Sequence, residues 1–306
     1  MNSSGVSRAL HHYAILTAGA TFLLLMAGAL VVGYEAGLAV PDWPLSFGTW
    51  MPPMVGGILY EHGHRMIAGT VGVLTTALVI WIWWKEPRRW VKGLGLAAWV
   101  AVVAQAILGG LTVLYRLPVP IVIAHGCLAQ AFFCLVLSLA LVTSPAWERA
   151  AEAAEEPPAP DFWHLAAAAT AALFIQLALG AALRHKALGL GPHWVWAGVA
   201  GFLVGWVCYR AVTELEAKDS LRKLAKWLGG ILALQVVLGV ASYAFRAVTQ
   251  GIPEPRTAVV LITSAHLATG ALLLGCSLLV TLLAYRRVAA AGKVASFAGD
   301  PQRTFA

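Results

Sequence analysis

Eight apolar runs, each about as long as a helix needs to cross roughly 30 Å of hydrocarbon, constrain this chain more than any other feature. They occupy 13–34, 66–84, 93–115, 119–142, 162–183, 192–212, 224–245 and 257–285. Backbone groups shielded from water must bond within their own segment, so the runs are read as helices and the chain as an all-α membrane protein. Composition agrees, with 60% of the 306 residues hydrophobic and 11% charged. The first run is longer than a signal-peptide core and has a counterpart later in the chain, so it is expected in the mature protein. No Arg- and Ser-rich leader precedes it, which favours a bacterial cell membrane.

Lys and Arg are retained on the cytoplasmic side of a membrane. With the N-terminus inside, Arg8, Lys85, Arg88, Arg89, Lys92, Arg149, Arg210, Lys218, Arg222, Lys223, Lys226, Arg286, Arg287, Lys293 and Arg303 are inside, fifteen in all. Six fall outside: Arg65, Arg116, Arg184, Lys186, Arg246 and Arg256. Both termini are therefore expected in the cytoplasm. The net charge of +7 reports this bias, and no nucleic-acid-binding pattern accompanies it. Cys127, Cys134, Cys208 and Cys276 all lie within apolar runs, where no disulfide is expected.

The stretch 146–161, rich in Ala, Glu and Pro, separates two sets of four runs that resemble one another. H-R-M-I-A-G-T-V-G-V-L from His64 aligns with H-W-V-W-A-G-V-A-G-F-L from His193. Gln105, Leu108, Gly109 and Arg116 fall on Gln235, Leu238, Gly239 and Arg246; Gly28 falls on Gly180, and Ala124-His125 on Ala265-His266. An even number of helices per unit predicts a parallel repeat. The expected organisation is a first half at 1–145, a cytoplasmic linker at 146–161, a second half at 162–290 and a cytoplasmic tail at 291–306. The halves differ in one outer loop: the shared Gly and His are 27 positions apart at 37 and 64 but four apart at 189 and 193. The extra loop carries V-P-D-W-P-L-S-F-G at 40–48, whose prolines forbid regular helix and which is placed to cover a site,.

Ionisable residues in membrane helices are costly and mark function. His64, His125, His193 and His266 open the second, fourth, sixth and eighth runs, which places them at similar depth toward the outer leaflet. Two imidazoles on facing helices fill the axial positions of a heme iron, so His64 pairs with His125 and His193 with His266. Zinc is the weaker reading, because its tetrahedral sites usually add Cys or carboxylate ligands. His62 lies on another helix face, and His11, His12, His164 and His185 are read as interfacial. Glu61 precedes His64 by three residues and shares its face once the helix has begun; its counterpart in the second half is Leu190, and that of Arg65 is Trp194. Glu61 is thus either chemical or a helix-end charge paired with Arg65. Arg116 and Arg246 recur at matching helix ends, and with Arg65 they are candidate partners for the anionic propionates of a heme. Gln105 and Gln235 are expected to bond between helices.

With E-H-G-H-R at 61–65, V-P-D-W-P at 40–44 and single histidines on the other even helices, the chain resembles the heme A synthase family over 14–287. The resemblance implies oxidation of the C8 methyl of heme O to the formyl of heme A, for terminal oxidases. It makes His64 and His125 the substrate-heme pair, Glu61 the catalytic acid, and His193 and His266 the ligands of a retained heme b. Heme O synthase and terminal oxidase subunits are the implied partners, with an unspecified electron acceptor. Many relatives carry a cysteine pair in the first outer loop; 34–60 contains none here. A diheme b-type electron-transfer cytochrome and a heme or small-molecule transporter remain the alternatives.

Overall fold

The computed structural model describes residues 8–152, 160–216, 219–253 and 255–298. Among them the chain forms α1 (Arg8–Gly33), α2 (Gly57–Lys85), α3 (Arg89–Leu114), α4 (Val119–Val142), α5 (Pro145–Glu152), α6 (Pro160–Arg184), α7 (Leu190–Glu214), α8 (Ser220–Val248) and α9 (Thr257–Ala298). All but α5 are long and apolar enough to cross a membrane, at 24 to 35 residues per span. The apolar runs set the spans, but two ends moved. Helix α2 begins at Gly57, nine residues before the apolar run, so Glu61, His62, His64 and Arg65 are all helical. The run at 257–285 continues as helix to Ala298.

Helices α1 to α4 close a four-membered ring, each touching its chain neighbour and α4 returning to α1. Helices α6 to α9 close a second ring in the same way. Helix α9 joins the rings by packing on α1 and α4, and α4 also touches α6. Small residues allow this close approach: Gly33 lies against Val260, and Gly275 against Leu137. The linker region is not all loop, since α5 turns Trp147 and Ala150 inward and packs along α9; residues 153–159 lie outside the described part.

At the end of the rings away from the histidines the buried positions alternate by four and three. They are Leu10, Ala14, Thr17 and Thr21 on α1, Val71, Thr75, Leu78 and Ile82 on α2, and Ala200, Val204, Val207 and Ala211 on α7. That is the spacing of a left-handed bundle, and it seals one end with a continuous apolar core. Leu78, Ile82 and Val204 are fully buried there, while Val73, Trp84 and Trp227 face outward, as lipid-facing side chains do.

The histidine end packs differently. No residue is buried on α2 between His62 and Val71, on α3 between Ala101 and Gly110, or on α4 before Gln130. In the first ring burial then resumes above that level, with Val40 and Ser46 of the 34–56 loop and Glu61 and His62 of α2. Among the described residues the second ring has no such roof: α7 has no buried residue before Ala200, and α8 none after Leu228.

Candidate functional site

The four histidines at the helix starts occupy equivalent seats. Each ring stands edge-on to a glycine of the preceding helix. A Cβ at Gly28, Gly109, Gly180 or Gly239 would meet Cε1 of His64, His125, His193 or His266 at 3.2, 3.3, 3.2 and 3.0 Å. Any side chain at these glycines would press on the imidazole, so the shared glycines of the sequence are the floor of the histidine sites.

Amides reinforce three of the seats. Gln105 donates to the carbonyl of His125 at 2.9 Å. Gln176 donates to the carbonyl of His193 at 3.0 Å and reaches its ring nitrogens at 3.2 and 3.3 Å. Gln235 lies 3.4 Å from Nε2 of His266. Each glutamine stands four residues before its glycine, one helical turn away. The interhelical bonding expected of Gln105 and Gln235 is therefore aimed at the histidines, and Gln176 joins them. The sequence carries this as a thrice-repeated Q-x-x-x-G at 105–109, 176–180 and 235–239. The first seat has Leu24 at that place.

Helices α2 and α4 stand across the first ring, and α7 and α9 across the second. His64 lies within electrostatic reach of His125, and His266 of His193. Nδ1 of His64, His125 and His266 is buried without a hydrogen-bond partner. Among the described residues no three His, Cys, Asp or Glu side chains converge, so each site offers a pair of imidazoles. That donor set fits a group that brings its other ligands with it, as a porphyrin does.

Among the described residues only the first ring has a buried carboxylate next to one of its histidines, Glu61 three residues before His64 on α2. Glu61 is 4% exposed; Oε1 accepts from Arg65 at 2.6 Å and Oε2 from the backbone N–H of Val40 at 2.7 Å. It sits inside α2, on its second turn, rather than at the helix cap. Arg65, a candidate propionate partner by sequence, is engaged with the loop. Its guanidinium donates to the carbonyls of Asp42 at 2.7 Å, Leu45 at 2.9 Å and Val40 at 3.4 Å, so it fastens the loop to α2. His62 is turned to the same loop, 2.8 Å from Ser46 Oγ. Trp43 lies flat over Gly110 of α3, where a Cβ would come within 2.8 Å of its indole. The Asp42 carboxylate accepts from the N–H groups of Phe47 and Gly48 at 2.7 and 2.8 Å.

The other cations frame the histidine end. Arg116 is exposed in the left-handed turn that ends α3, with φ 57°. Arg246 is exposed on the last turn of α8. Half-buried Arg184 reaches the carbonyl of Ala29 on α1 and lies close enough to Arg246 to repel it. Sequence had counted Arg184 only as a loop charge. His11, read as interfacial, instead bonds the carbonyl of Ala140 on α4 at 3.0 Å.

Comparison with known proteins bears on the same residues. The COX15-CtaA family, described as cytochrome oxidase assembly protein, matches residues 55–191, a span that holds Glu61, His64, Arg65, Arg116 and His125. A heme A synthase of Symbiobacterium thermophilum is 27% identical over 267 residues, covering 76% of this chain and 85% of that one. Heme A synthases of Bacillus licheniformis and Roseobacter denitrificans are 33% and 34% identical over 139 and 149 residues. The chain is similar to heme A synthases and, over 55–191, to the COX15-CtaA family. The aligned stretch spans 46% of the length of the Bacillus licheniformis relative and 36% of the Roseobacter denitrificans one. The family match runs from just before α2 through α6 and ends at residue 191, just short of His193.

Proposed function

We propose that this protein is a membrane oxidoreductase that converts heme O to heme A, with the substrate held in the first ring by His64 and His125 and a heme b held in the second by His193 and His266. The observation that carries this reading is the asymmetry between two rings with alike histidine seats. One has a buried carboxylate near its pair and a pinned loop above it, and among the described residues the other has neither. The heme iron would supply the redox chemistry of the C8 methyl, with four electrons passing to an external acceptor and the formyl oxygen coming from water or dioxygen. Glu61 accepts a proton from the methyl carbon under oxidation, or steadies positive charge developing there. Arg65 and the Val40 N–H hold the Glu61 carboxylate in place. The loop excludes water, which strengthens that charge interaction. Arg116 and Arg246, with Arg184, meet the propionates of the two hemes. The lysine and arginine distribution puts both heme sites toward the outer leaflet, with both termini cytoplasmic and the two rings arranged as a parallel repeat. Heme O synthase would deliver the substrate, and terminal oxidase subunits would receive the product.

Histidine variants test the assignment. His64→Ala and His193→Ala should each lose one heme per chain by pyridine hemochrome, and only His64→Ala should abolish heme A while heme b remains. Loss of heme A synthesis with both hemes retained in either variant contradicts the assignment. A diheme electron-transfer cytochrome predicts two loaded sites and no new pigment from either ring.

A further inference from the structure

Three of the four histidine seats carry a glutamine one turn before the glycine, and the fourth carries Leu24. The difference falls on His64, in the ring where a heme must enter as substrate and leave as product. We propose, resting on the two-heme reading above, that Leu24 makes His64 the exchangeable ligand and that Gln105, Gln176 and Gln235 keep the other three imidazoles in place.

The chemistry of the seats supports this division. A metal-binding imidazole gains basicity and a fixed orientation when its other nitrogen donates to a neighbouring oxygen. Oε1 of Gln105, Gln176 and Gln235 is buried without a partner, and so is Nδ1 of His125 and His266, so each of these seats holds a spare side-chain acceptor. The glutamine Nε2 atoms meanwhile tether these residues through the carbonyls of His125 and His193 and the ring of His266. Nδ1 of His64 is equally buried, and the Leu24 carbonyl faces its ring as the Gln105 and Gln235 carbonyls face those of His125 and His266, but the Leu24 side chain adds only methyl groups. His64 has the glycine floor of the other seats without the polar tether. The first ring thus combines a fixed ligand, His125, with a looser one, while both ligands of the second ring are tethered. A retained heme needs the second arrangement and a transient one the first.

The test uses the full-length detergent-purified protein loaded with ferric protoheme and mixed with excess apomyoglobin, which captures released heme. The wild type should release heme in a fast and a slow phase, and His64→Ala should identify the fast phase as the first ring. Leu24→Gln should slow that phase about fivefold, the effect of one added hydrogen bond, without changing the slow phase. The reciprocal variant Gln235→Leu should speed the slow phase by a similar factor, and it keeps the idea testable if Leu24→Gln does not fold. A fast phase unchanged by Leu24→Gln, or a slow phase unchanged by Gln235→Leu, overturns the proposal while leaving two hemes in place. A single release phase indifferent to His64→Ala overturns the two-heme reading, and the proposal with it.

Discussion

At the histidine seats a missing methyl group does the positioning. Membrane helices pack closely where side chains are small, and here the gap is filled by an imidazole from the next helix. The tightest case is Gly239, where a Cβ would stand 3.0 Å from His266 Cε1. Gly239→Ala should displace that ring and weaken heme binding in the second ring about tenfold, in line with the cost of overpacking a close contact. Heme titration of the purified variant checks this; unchanged affinity would show that the ring has room to move. The sequence displayed these glycines as coincidences between halves. Their purpose was hidden because the contact joins residues 13 to 36 positions apart, from 180 to 193 and from 28 to 64, and nothing along the chain says which ring stands on which glycine. Gln176 stayed unnoticed for a related reason, since its match lies on helices other than the one aligned with its own.

The 34–56 loop shows how an irregular segment is held at a membrane surface. Its backbone polar groups are satisfied by Glu61, Arg65 and Asp42 in place of a helix or sheet ladder. The Glu61–Arg65 pair is buried on both sides, with side chains 5% and 15% exposed. Removing one partner leaves an uncompensated charge, so Arg65→Met should cost about 3 kcal/mol and loosen the loop. Thermal melting in detergent, with proteolysis confined to 40–50, would show it; a variant as stable as the wild type contradicts the fastening role. Asp42 adds a pH dependence. The N–H of Gly48, helped by that of Phe47, holds its carboxyl below the usual 3.8 and outweighs the opposing effect of burial. A depressed folded value means that the stabilisation is complete above the unfolded value and is lost as pH falls through the folded one. Amide exchange at Phe47 and Gly48, corrected for intrinsic rates, should keep its protection from neutral pH down to near 4 and lose it below. Asp42→Asn should lower protection at every pH. The prolines at 41 and 44 made the loop legible as non-helical and as a cover. The Glu61 and Arg65 fasteners were not legible, because each spans about twenty residues and depends on α2 beginning at Gly57, before the apolar run does.

Across the whole molecule, hydropathy alone set eight of the nine described helices, because length and apolarity are what a bilayer demands. It missed α5, whose eight residues are too few and too polar to span. The pairing of rings follows from small residues on α1 and α9. Two similar bundles carry similar histidine seats; among the described residues a buried acid and a pinned loop mark the first, and the proposed function assigns the chemistry to it. Co-expression with a heme O source, followed by extraction of the pigments, tests that claim most directly. The wild type should accumulate heme A, and Glu61→Gln should accumulate heme O with its heme content intact and heme A reduced about a hundredfold, as expected for loss of a proton-transfer group. Unaltered heme O in the wild type, or heme A at the normal rate from Glu61→Gln, would contradict the account.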